Sequence, residues 1–225
     1  MKKFCVITNS LKDNKLEISY KILDYITKSG CQCVLIDNVD YSTGEYKVLK
    51  SKDIPGDTQC VISIGGDGTL LYGVHQYMEN INEIMFLGIH TGTLGFLTDY
   101  TQDELNTCLN DLITREPKIN KAPLLKIKVD KWENPAYALN EMRIENVIKS
   151  QNMDIYIDGE FFEKCRGSGI CLSTQAGSTA YNRSLKGAVI DSGLSVMQLA
   201  EITPIQHSKH RSLGNPYIMM ETRKV

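Results

Sequence analysis

At 225 residues the chain has material for one large domain or two small interlocked ones, and 42% hydrophobic with 23% charged residues is the balance of a soluble globular protein, not of a disordered or coiled-coil chain. A formal net charge of -2 and a pI near 6.1 leave no basic excess to set against a phosphate backbone, which argues against nucleic acid as the main partner. Seven cysteines without a repeated Cys-x2-Cys spacing make no zinc framework, and Cys31 and Cys33 read as buried reduced thiols on a strand, not as a redox pair.

Phe4 to Thr8 is expected as the first strand, because the apolar run after Lys2 and Lys3 stops at Thr8-Asn9-Ser10, too soon for a signal peptide. No apolar stretch elsewhere approaches the length that crosses a bilayer, so no membrane insertion is expected and the cytoplasm is the default location. Leu16, Ile22, Leu23 and Ile26 fall at helical spacing ahead of Gly30, a C-terminal cap. Cys33 to Ile36 reads as a strand and the polar stretch Tyr41 to Asp57 as a connection. Cys60 to Ile64 is a buried strand running into Gly65-Gly66-Asp67-Gly68-Thr69; a helix over Leu70 to Met78 and a strand over Ile84 to Ile89 follow. This alternation predicts an α/β N-terminal domain, a parallel sheet with flanking helices, over residues 1–100.

A helix is expected from Thr101 to Arg115, before Pro117. The texture then turns to strands: Leu125 to Val129, Ala138 to Ile144, Met153 to Ile157 and Ile170 to Ser173, with Asp158-Gly159 as a hairpin turn. A mostly β C-terminal domain over residues 101–225 is the economical reading.

Gly65 to Thr69 is the sharpest local feature. A buried strand ending in glycines lets backbone N–H groups approach phosphate oxygens, and a carboxylate in that turn suits a partner hydroxyl or metal ion better than a bare anion. Gly-Asp-Gly is equally a common tight turn, so the pentapeptide alone leaves both readings open. His75, His90, His207 and His210 lie on unrelated segments without metal-ligand spacing, and no metal is assigned to them.

Gly-Gly-Asp-Gly-Thr after an apolar strand resembles the motif shared by NAD kinases and by lipid kinases of the diacylglycerol and sphingosine type. Three further stretches resemble NAD kinases specifically: Gly88-Ile89-His90-Thr91-Gly92-Thr93-Leu94-Gly95-Phe96-Leu97, Ala138-Leu139-Asn140-Glu141, and Ser173-Thr174-Gln175-Ala176-Gly177-Ser178-Thr179-Ala180-Tyr181-Asn182. Four motifs in order identify the chain as similar to the NAD kinases of Gram-positive bacteria, with a shortened C-terminus.

The resemblance implies phosphorylation of the adenosine-ribose 2′-hydroxyl of NAD to NADP, with ATP or polyphosphate as donor and Mg²⁺ or another divalent cation arriving with the donor. It makes Asp67 the catalytic carboxylate that orients the hydroxyl and accepts its proton, chiefly by positioning, since a carboxylate is a weak base at neutral pH. Gly66, Gly68, Thr69 and Phe96 would line the nucleotide site. Asn140 and Glu141 would hold the ribose hydroxyls. Thr179, Ala180, Tyr181, Asn182 and Ser184 would contact the dinucleotide, and Arg166 matches an arginine of the family pattern. The pair Asn140-Glu141 is otherwise a polar strand end, Gly-Ser-Thr-Ala-Tyr a helix start capped by Ser178 or Thr179, and Arg166 a surface ion pair. The resemblance further implies a cytoplasmic homo-oligomer, a dimer or tetramer, without nucleic-acid or membrane partners.

The chain departs from the family pattern where Arg166-Gly167-Ser168-Gly169 stands for a stretch that normally reads Gly-Asp-Gly, so that Ser168 replaces a ligand-facing carboxylate. Thr174-Gln175-Ala176-Gly177 replaces Thr-Pro-x-Gly, Lys186-Gly187 replaces Gly-Gly, and Asp191-Ser192 stands at a proline-containing step. After Tyr217 the family's last strands are expected to be missing, which would expose a sheet edge. A catalytically impaired NAD- or NADP-binding relative is therefore the second reading, and a lipid kinase the third.

Overall fold

A computed structural model describes residues 2–37, 48–49, 54–92, 95–206 and 212–225. His207 and His210, and most of the connection over Tyr41 to Asp57, lie outside the described residues. The chain divides into two units, Met1–Asn120 and Lys121–Val225.

In the first unit, apolar runs dictate strands buried on both faces. Six parallel strands are β1 (Lys3–Thr8), β2 (Gln32–Asp37), β3 (Val48–Leu49), β4 (Cys60–Gly65), β5 (Met85–His90) and β6 (Tyr100–Thr101), in the order β3-β2-β1-β4-β5-β6. Alternation along them splits the core. Phe4, Val6, Cys60, Ile62 and Ile64 pack with Ile22, Leu23 and Ile26 of helix α1 (Glu17–Lys28) and Leu105, Cys108 and Leu109 of α3 (Leu105–Thr114). Cys5, Ile7, Ile36 and Val61 form the other face with Tyr77, just past α2 (Asp67–Gln76). Each large aliphatic side chain so buried contributes about 1.5–3 kcal/mol.

Because α3 packs into this first core, the division falls beyond that helix and not at residue 100. α3 also starts later than Thr101. Residues Gln102–Glu104 form a 3-10 turn, and the Glu104 carboxylate accepts the N–H and hydroxyl of Thr101 at 2.9 and 2.8 Å.

β1 and β4 are neighbours whose following connections lead to opposite sides of the sheet. Such a switch point opens a crevice at the carboxyl ends of the strands, where ligands of open α/β sheets bind.

The second unit is antiparallel. Hairpin β7 (Leu125–Ile127) and β8 (Ala136–Ala138) precedes β9 (Glu141–Glu145), β10 (Gln151–Ile157), β11 (Glu160–Gly167), β12 (Gly169–Ser173), the one-turn helix α4 (Tyr181–Ser184), β13 (Val196–Ile202) and β14 (Tyr217–Met220). Four of the strands make one sheet in the order β14-β13-β12-β9, and β10 pairs with β11 across a turn in which Asp158 and Gly159 both hold positive φ, 53° and 86°. Ile155, Ile157, Cys165, Ile170, Leu172, Met197, Leu199 and Met219 form its core. Among the described residues no helix is long and apolar enough to cross a membrane.

Candidate functional site

The glycine motif of the first unit closes β4 and opens α2 in one step. Gly65 holds φ +153°, and a Cβ there would sit 2.3 Å from Thr69 Oγ1, so only glycine fits. The Gly66 carbonyl accepts the N–H of Thr69 at 2.9 Å and of Leu70 at 3.4 Å, which starts the helix at Asp67, three residues earlier than the apolar pattern suggests. Among the described residues the N–H groups of Gly66, Asp67 and Gly68 have no hydrogen-bond acceptor. They form the lip of the turn, with Gly68 exposed and Gly66 and Asp67 half-buried.

Asp67 does not cap its own helix. Its Oδ2 accepts the Phe96 N–H and its Oδ1 the Leu97 N–H, both at 3.0 Å, so the loop after β5 grips the carboxylate by two backbone donors. Gly95 makes this approach feasible, since a Cβ there would lie 2.3 Å from Asp67 Oδ1. The loop's return is braced where Asp99 Oδ2 accepts the Gly88 N–H and the Asp99 N–H donates to the Gly88 carbonyl, each at 2.9 Å. Burial raises the Asp99 carboxyl above the ordinary range against the lowering pull of that N–H. His90 is buried, and its Nδ1 accepts the Gly92 N–H at 2.9 Å, which places the proton of a neutral ring on Nε2. Phe96 is 63% exposed and offers a bare aromatic surface beside the gripped carboxylate. Thr93 and Leu94 lie outside the described residues.

Two residues here were not anticipated. Asp13, 1% exposed, accepts the Ile18 N–H at 3.0 Å, the Ser19 N–H at 2.9 Å and the Ser19 hydroxyl at 2.6 Å, and so satisfies the first turn of α1. An aspartate just before a helical pattern is a start signal that could have revealed it. Lys12 precedes it, with its ammonium 3.5 Å from where a Cβ of Gly66 would stand. No motif marks that lysine.

In the second unit, the strand expected over Ala138 to Ile144 breaks at Leu139-Asn140. The Asn140 carbonyl accepts the Thr174 N–H at 2.9 Å, the Thr174 hydroxyl donates to the Leu139 carbonyl, and the Gly177 N–H donates to Thr174 Oγ1 at 3.0 Å. A Cβ on Gly177 would fall 2.0 Å from the Asn140 carbonyl oxygen, so the two loops interlock only with glycine there. The side chains that this knot presents are under-satisfied. Among the described residues Asn140 Oδ1, Glu141 Oε2 and Asn182 Oδ1 are buried without a hydrogen-bond donor. Buried acceptors without partners are rare, so these three have capacity for a hydrogen-bond donor. Burial raises the Glu141 carboxyl, while Arg143 and the Tyr181 backbone N–H pull it down. Arg143, also unanticipated, places its guanidinium carbon 4.1 Å from the centroid of the Tyr181 ring.

Thr179, Ala180, Tyr181, Asn182 and Ser184 do follow this loop, but neither Ser178 nor Thr179 caps a helix. Ser178 Oγ accepts the Ile190 N–H at 3.0 Å, Thr179 Oγ1 reaches the Ala176 carbonyl at 3.4 Å, and α4 is one turn long. So short a helix adds little dipole for a phosphate. Asn182 is fully buried, its Nδ2 3.5 Å from the Ser178 carbonyl.

Arg166 and Ser168 are not gathered with Asn140 and Glu141. Across β12 and β9, Gly169 pairs with Glu145 while Ser173 pairs with Glu141, so Ser168, just before the far end of β12, lies about 17 Å from Ser173 at 3.3 Å per residue. The Ser168 hydroxyl accepts from Thr203, and its carbonyl accepts from the Asn146 N–H and Gln151 Nε2, both at 2.8 Å. Arg166 is exposed and has no ion-pair partner among the described residues. Among the described residues no three His, Cys, Asp or Glu side chains gather as a metal site.

Family models match both units: the ATP-NAD kinase N-terminal domain over residues 4–117 and the ATP-NAD kinase C-terminal domain over residues 139–213. The NAD kinase of Lactobacillus johnsonii is 40% identical over 179 residues, which cover 77% of this chain and 66% of that protein. That of Limosilactobacillus reuteri is 42% identical over 163 residues, 71% of this chain and 60% of the relative. The chain thus spans 60–66% of the length of these two relatives. A yeast NADH kinase crystallised with NADH shares the fold with a TM-score of 0.73 at 21% identity, covering 99% of this chain and 70% of that one. An Archaeoglobus fulgidus NAD kinase in complex with ATP does so with a TM-score of 0.70 at 20% identity, covering 98% and 78%.

Proposed function

The chain belongs to the NAD kinase family, and from that premise we propose that it is a phosphotransferase converting NAD to NADP. The observation that carries the reading is the Asp67 carboxylate, held by the Phe96 and Leu97 N–H groups in a glycine turn at the switch point of the sheet. A carboxylate fixed by backbone cannot swing away from an incoming hydroxyl, and that orientation is what catalysis by positioning requires.

In the reaction the 2′-oxygen attacks the terminal phosphorus of the donor in line. The new P–O bond forms as the bond to the bridging oxygen breaks, the proton of the hydroxyl passes to Asp67, and the shortened phosphate leaves without a phospho-enzyme. Mg²⁺, bound through the donor phosphates, would neutralise their charge; the lip of free N–H groups at Gly66, Asp67 and Gly68 suits the same phosphates. The Phe96 ring offers a stacking surface for a base. In the second unit the unpartnered acceptors of Asn140 and Glu141 suit the hydroxyls of a ribose, which donate. Tyr181, backed by Arg143, presents a ring to the dinucleotide, with Thr179, Ala180 and Ser184 around it.

The two structural relatives, one in complex with NADH and one with ATP, support a dinucleotide acceptor and a nucleotide donor. Seven free cysteines without a disulfide support the cytoplasm, and Tyr217, Ile218 and Met220 exposed on edge strand β14 support self-association. Ser168 favours a second reading, a dinucleotide-binding relative without turnover, because its hydroxyl is engaged by Thr203 and brings no charge.

The test is NADP formation by the purified chain with NAD, Mg²⁺ and either ATP or polyphosphate, beside Asp67→Ala. Product from the wild type alone supports the kinase and identifies its donor. Dinucleotide binding with turnover no faster than the variant's would leave only the second reading.

A further inference from the structure

Lys12 is an exposed cation that the fold brings against the glycine turn without giving it a carboxylate to neutralise. Its ammonium lies 3.5 Å from the Cβ position of Gly66, over the lip where three N–H groups have no acceptor, and no ion pair involves it among the described residues. Asp67, the nearest acid in sequence to that lip, is engaged elsewhere by Phe96 and Leu97. The backbone of the loop at Lys12 is also held. Its own N–H and that of Asp13 donate to the Asn9 carbonyl at 2.8 and 2.9 Å, Asn9 Oδ1 accepts the Leu11 N–H at 3.0 Å, and Asp13 is locked onto the start of α1. The loop carrying it leaves β1, the strand beside β4, so Lys12 and the glycine turn flank the same switch point.

An ammonium kept unpaired over free backbone donors is matched by a dense anion. From this placement we infer that Lys12 is a donor-binding residue, its Nζ donating to the terminal oxygens of a tri- or polyphosphate chain seated on Gly66 to Gly68. The inference rests on the kinase reading, and it adds a contact from outside the four motifs. It further requires that Lys12 discriminate between substrates: the phosphate chain needs the charge, and the hydroxyl-bearing acceptor does not.

Calorimetric binding to the full chain separates this from the kinase reading itself, with MgATP, inorganic tripolyphosphate and NAD as separate titrants for the wild type, Lys12→Met and Lys12→Arg. Loss of one charge-assisted hydrogen bond predicts about 10–100-fold weaker binding of the phosphate chain to Lys12→Met, with NAD affinity unchanged and Lys12→Arg recovering most of the loss. A loss with MgATP alone assigns the contact to nucleoside triphosphates; a loss with both assigns it to any phosphate chain. Equal affinity of wild type and Lys12→Met for both phosphate titrants overturns the inference, as does an equal loss of NAD binding or a wild type that binds neither titrant. Failure of the wild type to form NADP would sink the kinase reading and leave this binding comparison standing.

Discussion

Asp67 takes its orientation from two backbone donors, so the residue that controls it most sharply carries no side chain. Gly95→Ala places a methyl where Asp67 Oδ1 now lies and must displace either the carboxylate or the loop. A displacement approaching 1 Å predicts a fall in kcat of about 100-fold with the fold retained, measured by turnover beside a thermal melt. Unchanged turnover would mean that the grip is incidental. Glu141 makes a pH prediction. Its folded-state pKa is raised above the ordinary 4.5 by burial, so the folded chain binds that proton more tightly than the unfolded one. The group's contribution to stability therefore declines as pH rises from 4.5 through the raised value. Ligand binding runs the other way, since the ionised form is the better acceptor. NAD affinity should fade on acidification at a pH above the ordinary glutamate range. Arg143→Met removes a charge that lowers this pKa and should move the acid limb higher still; an unmoved limb would detach Arg143 from the site.

At the scale of elements, two loops carry more of the architecture than their sequences announce. Asp13→Ala leaves the Ile18 and Ser19 N–H groups without acceptors in a buried setting, which predicts a loss of about 2–4 kcal/mol by denaturant titration. Lys186, at the position where the family pattern has glycine, holds φ 63°, a conformation that strains any side chain. Lys186→Gly relieves about 1–2 kcal/mol of strain and gives back about 0.5–1 to the freer unfolded chain, so a small rise in Tm is expected. A fall would show that the side chain compensates. Gln175, where the family has proline, keeps φ -58° and donates to the Ile190 carbonyl, so that departure leaves the backbone of the turn in place. In the first unit β1, β2, β4 and β5 were legible because each is a continuous apolar run, while β3, inside the expected connection, and β6 are two residues long and make no such run. Glu160–Gly167, Val196–Ile202 and Tyr217–Met220 were not. The first carries charges at Glu160, Glu163, Lys164 and Arg166, the second buries Gln198 against the Ala188 backbone, and the third is a short edge strand. Their partners, not their own patterns, make them strands.

Over the whole molecule, the class was legible because alternation of helices and strands gives way to strands alone, and the candidate site residues are the ones that sit in motifs repeating a family pattern. What escaped was whatever depends on partners distant in sequence: the helix that joins the first core, the Thr174 knot around Asn140, and the ends of β12 that keep Ser168 away from Glu141. The thiols follow from the same burial. Cys5, Cys60, Cys165 and Cys171 are pushed up to about 12 by desolvation, so native chain should resist alkylation at these positions at neutral pH and react only when unfolded. Mass spectrometry after iodoacetamide reads this directly, and rapid modification of the folded chain would contradict the packing.

The most direct test of the central claim follows the phosphoryl group itself. The full chain is incubated with NAD, Mg²⁺ and ATP labelled at the terminal phosphate, and the position of the label is determined after digestion of the product. The account predicts label at the 2′-position of NADP from the wild type, and at a rate lower by about 100–10,000-fold from Asp67→Asn. Folded, NAD-saturated protein that leaves NADP unlabelled, or equal labelling by the variant, would contradict it.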